Sequence, residues 1–339
     1  MHLTSPPHAL TERRSRAPRE WHDTLRTTLA ALGFAPSTAD PSLFLRTDTT
    51  LPPFYVLVYV DDLVFATADS EVLALVKLEL QERHTYTDLG ELRSYLGLQI
   101  TRDRARRTIT LTQSHMVHQV LQRFGFWYSS PQPTPLSTGH PLSAPPSDES
   151  VEPSGPYQSL DAAKRVLHYL CCTSGMGLVL GGRGSVVLTG HSDASWADNQ
   201  ATQRSSQGYT FSLGSGSVSW RSTRPSSMLG SSYEAEIYAG AMAAQELQWV
   251  TYLLTNLGER PRSPPVLFVD NDEMLALCRE QRLEHRTKHI SIRHFLAREL
   301  QQHRQLRLSY VALRANTADH QRFCTALGLV PTLPHLLVA

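Results

Sequence analysis

Between residues 129 and 156 the chain carries Pro131, Pro133, Pro135, Pro141, Pro145, Pro146, Pro153 and Pro156, set mainly among Ser, Thr and Gly. Proline has no backbone N–H and a fixed φ, so neither a helix interior nor a central strand passes through such a stretch, and few apolar side chains are present to bury. Cores must therefore be built on either side of it. A chain of 339 residues, 41% of them hydrophobic, has enough material for two. The expected division is a folded region over 1–128, a Pro/Ser-rich linker over 129–160, a short connection over 161–185, a second domain over 186–328 and a tail over 329–339.

In the first region Trp21, Leu25, Leu29 and Leu32 recur at helical spacing and Gly33 follows as a helix stop. Asp40-Pro41-Ser42 is turn chemistry before a short strand at 43–45. The run 54–60 is apolar and β-branched. It is interrupted by Asp61-Asp62 and resumed by Leu63-Val64-Phe65, which reads as a hairpin with two acids at its tip. A helix over 71–83, strands near 96–101 and 108–111 and a helix over 114–124 complete an α+β alternation.

In the second region the alternating run 186–192 leads to Asp193. A hairpin turning at Gly214-Ser215-Gly216 follows it. Ser231-Ser232-Tyr233-Glu234 is a capping-box pattern opening a helix from about 232 to 257, with Gly258 at its end. A strand at 266–269 leads to Asp270, then come two helical stretches and a last strand over 306–311. Asp193 and Asp270 are thus expected at strand ends and Glu236 inside a helix. Carboxylates delivered to one place repel each other unless cations lie between them, which is the requirement of a two-metal phosphodiester site.

These strings carry a family resemblance. Tyr59-Val60-Asp61-Asp62-Leu63 resembles the metal-binding hairpin of reverse transcriptases in the form used by copia-type retrotransposons. Ala17-Pro18-Arg19-Glu20-Trp21, Leu32-Gly33-Phe34, Ala39-Asp40-Pro41-Ser42-Leu43-Phe44, Asp88-Leu89-Gly90-Glu91-Leu92 and Tyr95-Leu96-Gly97 are similar to segments of that family, in its order. In the second half, Gly190-His191-Ser192-Asp193-Ala194-Ser195-Trp196, Arg204-Ser205-Ser206-Gln207-Gly208-Tyr209, Ser231-Ser232-Tyr233-Glu234-Ala235-Glu236, Val269-Asp270-Asn271 and Arg286-Thr287-Lys288-His289 resemble the family's ribonuclease H domain.

The resemblance implies an α+β palm remnant followed by an α/β ribonuclease H-like domain, a mixed five-stranded sheet with flanking helices. It also implies roles. Asp193 would bridge two Mg²⁺ ions (Mn²⁺ able to replace them), Glu236 and Asp270 would hold the ion at the leaving 3′ oxygen, and Asp319 the ion that activates water. Arg204, Ser205, Arg286, Lys288 and His289 would face the nucleic acid, and the substrate would be the RNA strand of an RNA–DNA hybrid. Glu234 is assigned to the helix cap rather than to the metal.

Departures from the family pattern limit these expectations. The upstream polymerase aspartate and the fingers precede the segment where this chain starts, so Asp61 and Asp62 lack their third partner and no polymerase activity is expected. Residues 156–170 look like two family segments nearly fused. His320-Gln321-Arg322-Phe323 departs from the family after Asn316-Thr317-Ala318-Asp319, where a surface Asp capping a helix is the plain alternative for Asp319. Two readings follow: a hybrid ribonuclease, or an inactive retroelement relic that at most binds nucleic acid.

Lys and Arg number 32 against 31 Asp and Glu, so nucleic-acid contact has to come from local patches such as Arg102, Arg104, Arg106 and Arg107. Cys171, Cys172, Cys278 and Cys324 lack metal or redox spacing and no secretory leader is expected before them, which points to reduced thiols in a cytoplasmic or nuclear setting, and no apolar stretch is long enough to span a membrane. His285, His289, His294 and His303 lack the Cys or paired acid that would complete a zinc site. Trp196, Trp220 and Trp249 read as packing residues rather than base-stacking platforms.

Overall fold

The computed structural model describes residues 2–3, 17–135, 155–182, 187–196, 204–225, 228–261, 263–279, 295–312, 316 and 329–331. By its contacts the chain divides into two units, Met1–Leu92 with Trp249–Arg260, and Arg93–Gln248 with Pro261–Ala339.

The first unit holds β1 (His2–Leu3), α1 (Ala17–Ala31), β2 (Phe34–Pro36), β3 (Leu43–Arg46), β4 (Phe54–Tyr59), β5 (Asp62–Thr67), α2 (Ser70–Arg83) and β6 (Tyr86–Thr87). Its strands form one sheet in the order β2-β3-β4-β5-β1-β6. Along β4, Phe54, Val56 and Val58 are buried while Tyr55 and Leu57 are only partly covered, so the apolar run resolves into one core face. That face packs with Leu25 and Leu29 of α1 and Val76 and Leu80 of α2. Gly33, at φ +82°, supplies the left-handed residue that ends α1. The Asp69 side chain accepts the Glu71 and Val72 N–H groups at 3.1 Å and caps α2. Within the same unit Trp249 Nε1 donates to Ala39 O at 3.1 Å, and Thr38 Oγ1 donates to Asn256 Oδ1 at 2.9 Å.

The second unit has two sheets. Strands β7 (Ser94–Tyr95), β8 (Leu98–Asp103) and β9 (Thr108–Thr112) are followed by helices α3 (Ser114–Arg123) and α4 (Gly155–Thr173) and by β10 (Met176–Gly181). The strand β10 pairs antiparallel with β9, from Leu178 opposite Leu111 to Gly181 opposite Thr108. Helix α4 begins at Gly155, several residues earlier than the Pro-rich composition suggests, and its Cys171 Sγ donates to Trp127 O at 3.4 Å.

The other sheet is built from β11 (Leu188–Ser195), β12 (Ser206–Leu213), β13 (Gly216–Thr223), β14 (Val266–Val269) and β15 (Arg307–Tyr310), in the order β13-β12-β11-β14-β15. Strands β11 to β13 are antiparallel, whereas β14 pairs parallel with both β11 and β15. This is the mixed five-stranded sheet that the resemblance implies. Between β13 and β14 runs α5 (Ser232–Asn256), and α6 (Asp272–Arg279) and α7 (Leu296–Gln302) lie between β14 and β15. A last strand, β16 (Leu329–Pro331), pairs with β10 in the first of the two sheets. Ala235, Ala239, Ala241, Ala243, Ala244 and Leu247 of α5 are all buried, as are Phe211, Leu267 and Val269 of the sheet. Gly190 has no side chain for a reason of space: a Cβ there would lie 2.2 Å from the Phe211 ring.

A candidate metal centre

Asp193 is not at the end of its strand, as the apolar run alone implies, but within it: β11 continues to Ser195 because the pairing with β12 extends through Asp193 opposite Gly208 and on to Ser195 opposite Ser206. Asp270 does follow directly on the last residue of β14. The parallel register sets His191 opposite Phe268, so two residues further on Asp193 and Asp270 are level on neighbouring strands. Their approach is a consequence of register, not of either local sequence.

Glu236 comes from the N-terminal part of α5. The helix start is fixed by Ser231, whose Oγ accepts the Glu234 N–H at 3.1 Å, and by Glu234, whose carboxylate accepts the Gly230 N–H at 2.7 Å. Glu234 is therefore turned back to the cap, and Glu236 reaches the sheet. One ligand oxygen from each of Asp193, Glu236 and Asp270 lies within 4.8 Å of the others, and among the described residues this is the one grouping of three side chains suited to hold a metal ion.

The electrostatics are those of a crowded acid site. Burial first, and then the charges of Asp193 and Asp270, push Glu236 up to about 9, against the hydrogen bond from the Ala194 backbone. Glu236 is buried and its Oε2 has no hydrogen-bond partner. A buried oxygen without a donor beside two further carboxylates fits a divalent cation, which favours several oxygen ligands and cancels the repulsion. On the same strands His191 stacks on Phe268 with ring centroids 5.0 Å apart, and burial lowers the imidazole to about 4. It is a neutral packing residue beneath the acids.

Asn316 is a residue that pattern reading did not single out by itself. It is fully buried, and its Nδ2 donates to Ser192 O at 3.0 Å, next to Asp193. The signal was present in the string Asn316-Thr317-Ala318-Asp319, but the partner lies 124 residues away.

Asp319, Arg286, Lys288 and His289 lie outside the described residues, as do His285, His294 and Cys324. Arg204 is partly exposed and Ser205 is buried, directly before β12. Trp196, Trp220 and Trp249 are 50%, 47% and 41% exposed, more open than packing residues are expected to be.

In the first unit Asp61 and Asp62 sit at the hairpin tip, where Tyr59 pairs with Asp62 around the two-residue turn Val60-Asp61. Val60 has φ +52°, a strained conformation for a β-branched residue, and its carbonyl accepts Trp21 Nε1–H at 3.2 Å.

Residues 13–138 match the model of the family described as reverse transcriptase (RNA-dependent DNA polymerase). The retrovirus-related Pol polyprotein from transposon RE1 of Arabidopsis thaliana is 30% identical over an alignment covering 94% of this chain and 24% of that protein. The chain is homologous to copia-type transposon Pol polyproteins. A second such Pol polyprotein, from transposon TNT 1-94 of Nicotiana tabacum, is 26% identical over 90% of this chain and 26% of its own length. The chain thus spans about a quarter of the length of these Pol relatives. Among solved structures, LC11-RNase H1, isolated from compost, covers 42% of this chain with 96% of its own, at 13% identity and a TM-score of 0.31, too low to assign a fold.

Proposed function

We propose that this Pol homologue is a ribonuclease of the H type, hydrolysing the RNA strand of an RNA–DNA hybrid at the cluster of Asp193, Glu236 and Asp270. The observation that carries the reading is the convergence of these three carboxylates from two parallel-paired strands and a helix, with a buried Glu236 oxygen lacking a donor. The element order, three antiparallel strands followed by a helix, a strand, two helices and a last strand in one mixed five-stranded sheet, is also what the resemblance to a ribonuclease H domain leads one to expect.

Bound divalent ions, Mg²⁺ by preference, would stabilise charge on the phosphate and lower the pKa of an attacking water. Asp193, Glu236 and Asp270 are the residues that would hold them, with Asp319 as a further proposed ligand. The chain's own contribution is positional. The β11–β14 register holds the two aspartates level, the Ala194 N–H orients Glu236, and the Asn316 amide ties the chain before Asp319 to the strand carrying Asp193. Choice of RNA would rest on 2′-hydroxyl contacts in a wide minor groove, with Arg204, Arg286, Lys288 and His289 as proposed nucleic-acid contacts. Hybrid cleavage by the purified chain in Mg²⁺, lost in Asp193→Asn, tests the reading. The competing reading, an inactive relic that only binds nucleic acid, predicts no cleavage by either protein.

A further inference from the structure

We infer that the β8–β9 hairpin tip is a second nucleic-acid contact, an arginine clamp on the phosphate backbone of the same duplex, remote from the acid cluster. This rests on the hybrid-ribonuclease reading. Arg102, Arg104, Arg106 and Arg107 are all exposed at this tip, and the carboxylate among them is Asp103. Asp103 shapes the turn: it accepts the Arg106 N–H at 2.9 Å and lies 3.5 Å from the Arg106 guanidinium, whose side chain is still 84% exposed. An ion pair this open leaves the positive field of the tip largely intact. Guanidinium groups match phosphate oxygens in a fork, so four of them with no lysine suit a polyanionic backbone.

The tip is also fixed in place relative to the sheet that carries the acids. Gly182 N donates to Arg107 O at 2.9 Å, and Gly181 packs so tightly that a Cβ would come within 2.3 Å of that same oxygen. Gly181 O in turn accepts Ser215 Oγ at 2.6 Å, and Ser215 lies in the β12–β13 turn. The contacts run unbroken from the Arg107 backbone to the catalytic sheet, within one unit of the chain. They reach that sheet at the Leu188 end of β11, five residues from Asp193, or about 17 Å along the strand. The point at which the link to the Arg107 backbone joins the sheet is thus roughly half of the 34 Å turn of a duplex from Asp193. The proposed clamp therefore requires a hybrid that reaches past the end of this sheet, and a very short one seated at the acids would not engage it.

The test measures binding of fluorescent hybrids in Mg²⁺ by the full chain carrying Asp193→Asn, with and without Arg104→Gln/Arg106→Gln/Arg107→Gln. The two probes are a hybrid of two helical turns, about 20 bp, and a hairpin-closed hybrid of about half a turn. The expected result is weaker binding of the long hybrid only, with a slope of log K against log[salt] shallower by about 2 to 3, since each lost phosphate contact removes about 0.9. Replacement of the same three residues by Lys restores most of the slope. The single Arg106→Gln variant, at an 84% exposed side chain, gives the same direction without risk to folding. Unchanged affinity and slope on the long hybrid, or equal loss on both lengths, overturns this surface while leaving the ribonuclease reading standing. If the parent binds neither hybrid, that reading fails and the clamp fails with it.

Discussion

Glu236→Gln separates the cost of the acid cluster from its use. Glutamine keeps the size of the side chain and an acceptor for the Ala194 N–H, but carries no proton to lose. In the metal-free protein burial and the neighbouring aspartates raise Glu236 to about 9. For a carboxyl raised on folding, the stabilising contribution is complete below its unfolded value and is lost as pH rises toward the folded value. The metal-free wild type should therefore weaken steadily between about pH 4.5 and 9. Near pH 7.5, three units above the unfolded value, the difference amounts to about 4 kcal/mol at 1.36 kcal/mol per unit. Glutamine escapes that cost, so urea denaturation in EDTA should find Glu236→Gln more stable than wild type by up to about 4 kcal/mol at pH 7.5 and nearly equal to it at about pH 4.5. Excess Mg²⁺ should narrow or reverse the order, because the wild type, with all three carboxylates, gains more binding energy that favours the folded state. A variant less stable than wild type in EDTA at pH 7.5, or a wild type whose stability does not change with pH, refutes the reasoning.

Other perturbations test the frame around the cluster. Gly190→Val places a branched side chain where a Cβ already lies 2.2 Å from the Phe211 ring, and should cost about 3 kcal/mol or more in chemical denaturation, since the ring is fully buried. Asn316→Ala removes a buried donor from Ser192 O and should cost about 1 to 3 kcal/mol, with hybrid cleavage reduced more than hybrid binding. Ser231→Ala uncaps α5 and should lower stability by about 1 kcal/mol in thermal melting, leaving the Mg²⁺ dependence of cleavage as it was.

Local elements were legible because each has its own period or boundary chemistry. Helix α5 follows from Ser231 and Glu234 at one end and Gly258, at φ +79°, at the other. The hairpin around Asp61 follows from two apolar runs with acids between them. What could not be read locally depends on partners distant in the chain. Strand β10 sits in a stretch that composition marks as a connection, and it is a strand because β9, some seventy residues earlier, offers an open edge. The start of α4 at Gly155 is hidden among prolines, although Pro156 at the beginning of a helix forfeits no intrahelical hydrogen bond. The candidate site divides the same way. Its three acids were nameable from strand ends, a helix pattern and family strings, but their meeting depends on the parallel register of β11 and β14. The Ala194 and Asn316 contacts are visible only once the chain is folded.

Strand-specific cleavage of a hybrid is the most direct measurement. With separately labelled RNA and DNA strands and Mg²⁺, the purified chain should cut the RNA strand alone, and Asp193→Asn, Glu236→Gln and Asp270→Asn should each lose that activity while remaining folded. An intact RNA strand after incubation with the folded wild type, or cleavage that persists in Asp193→Asn, would contradict the assignment of the carboxylate cluster.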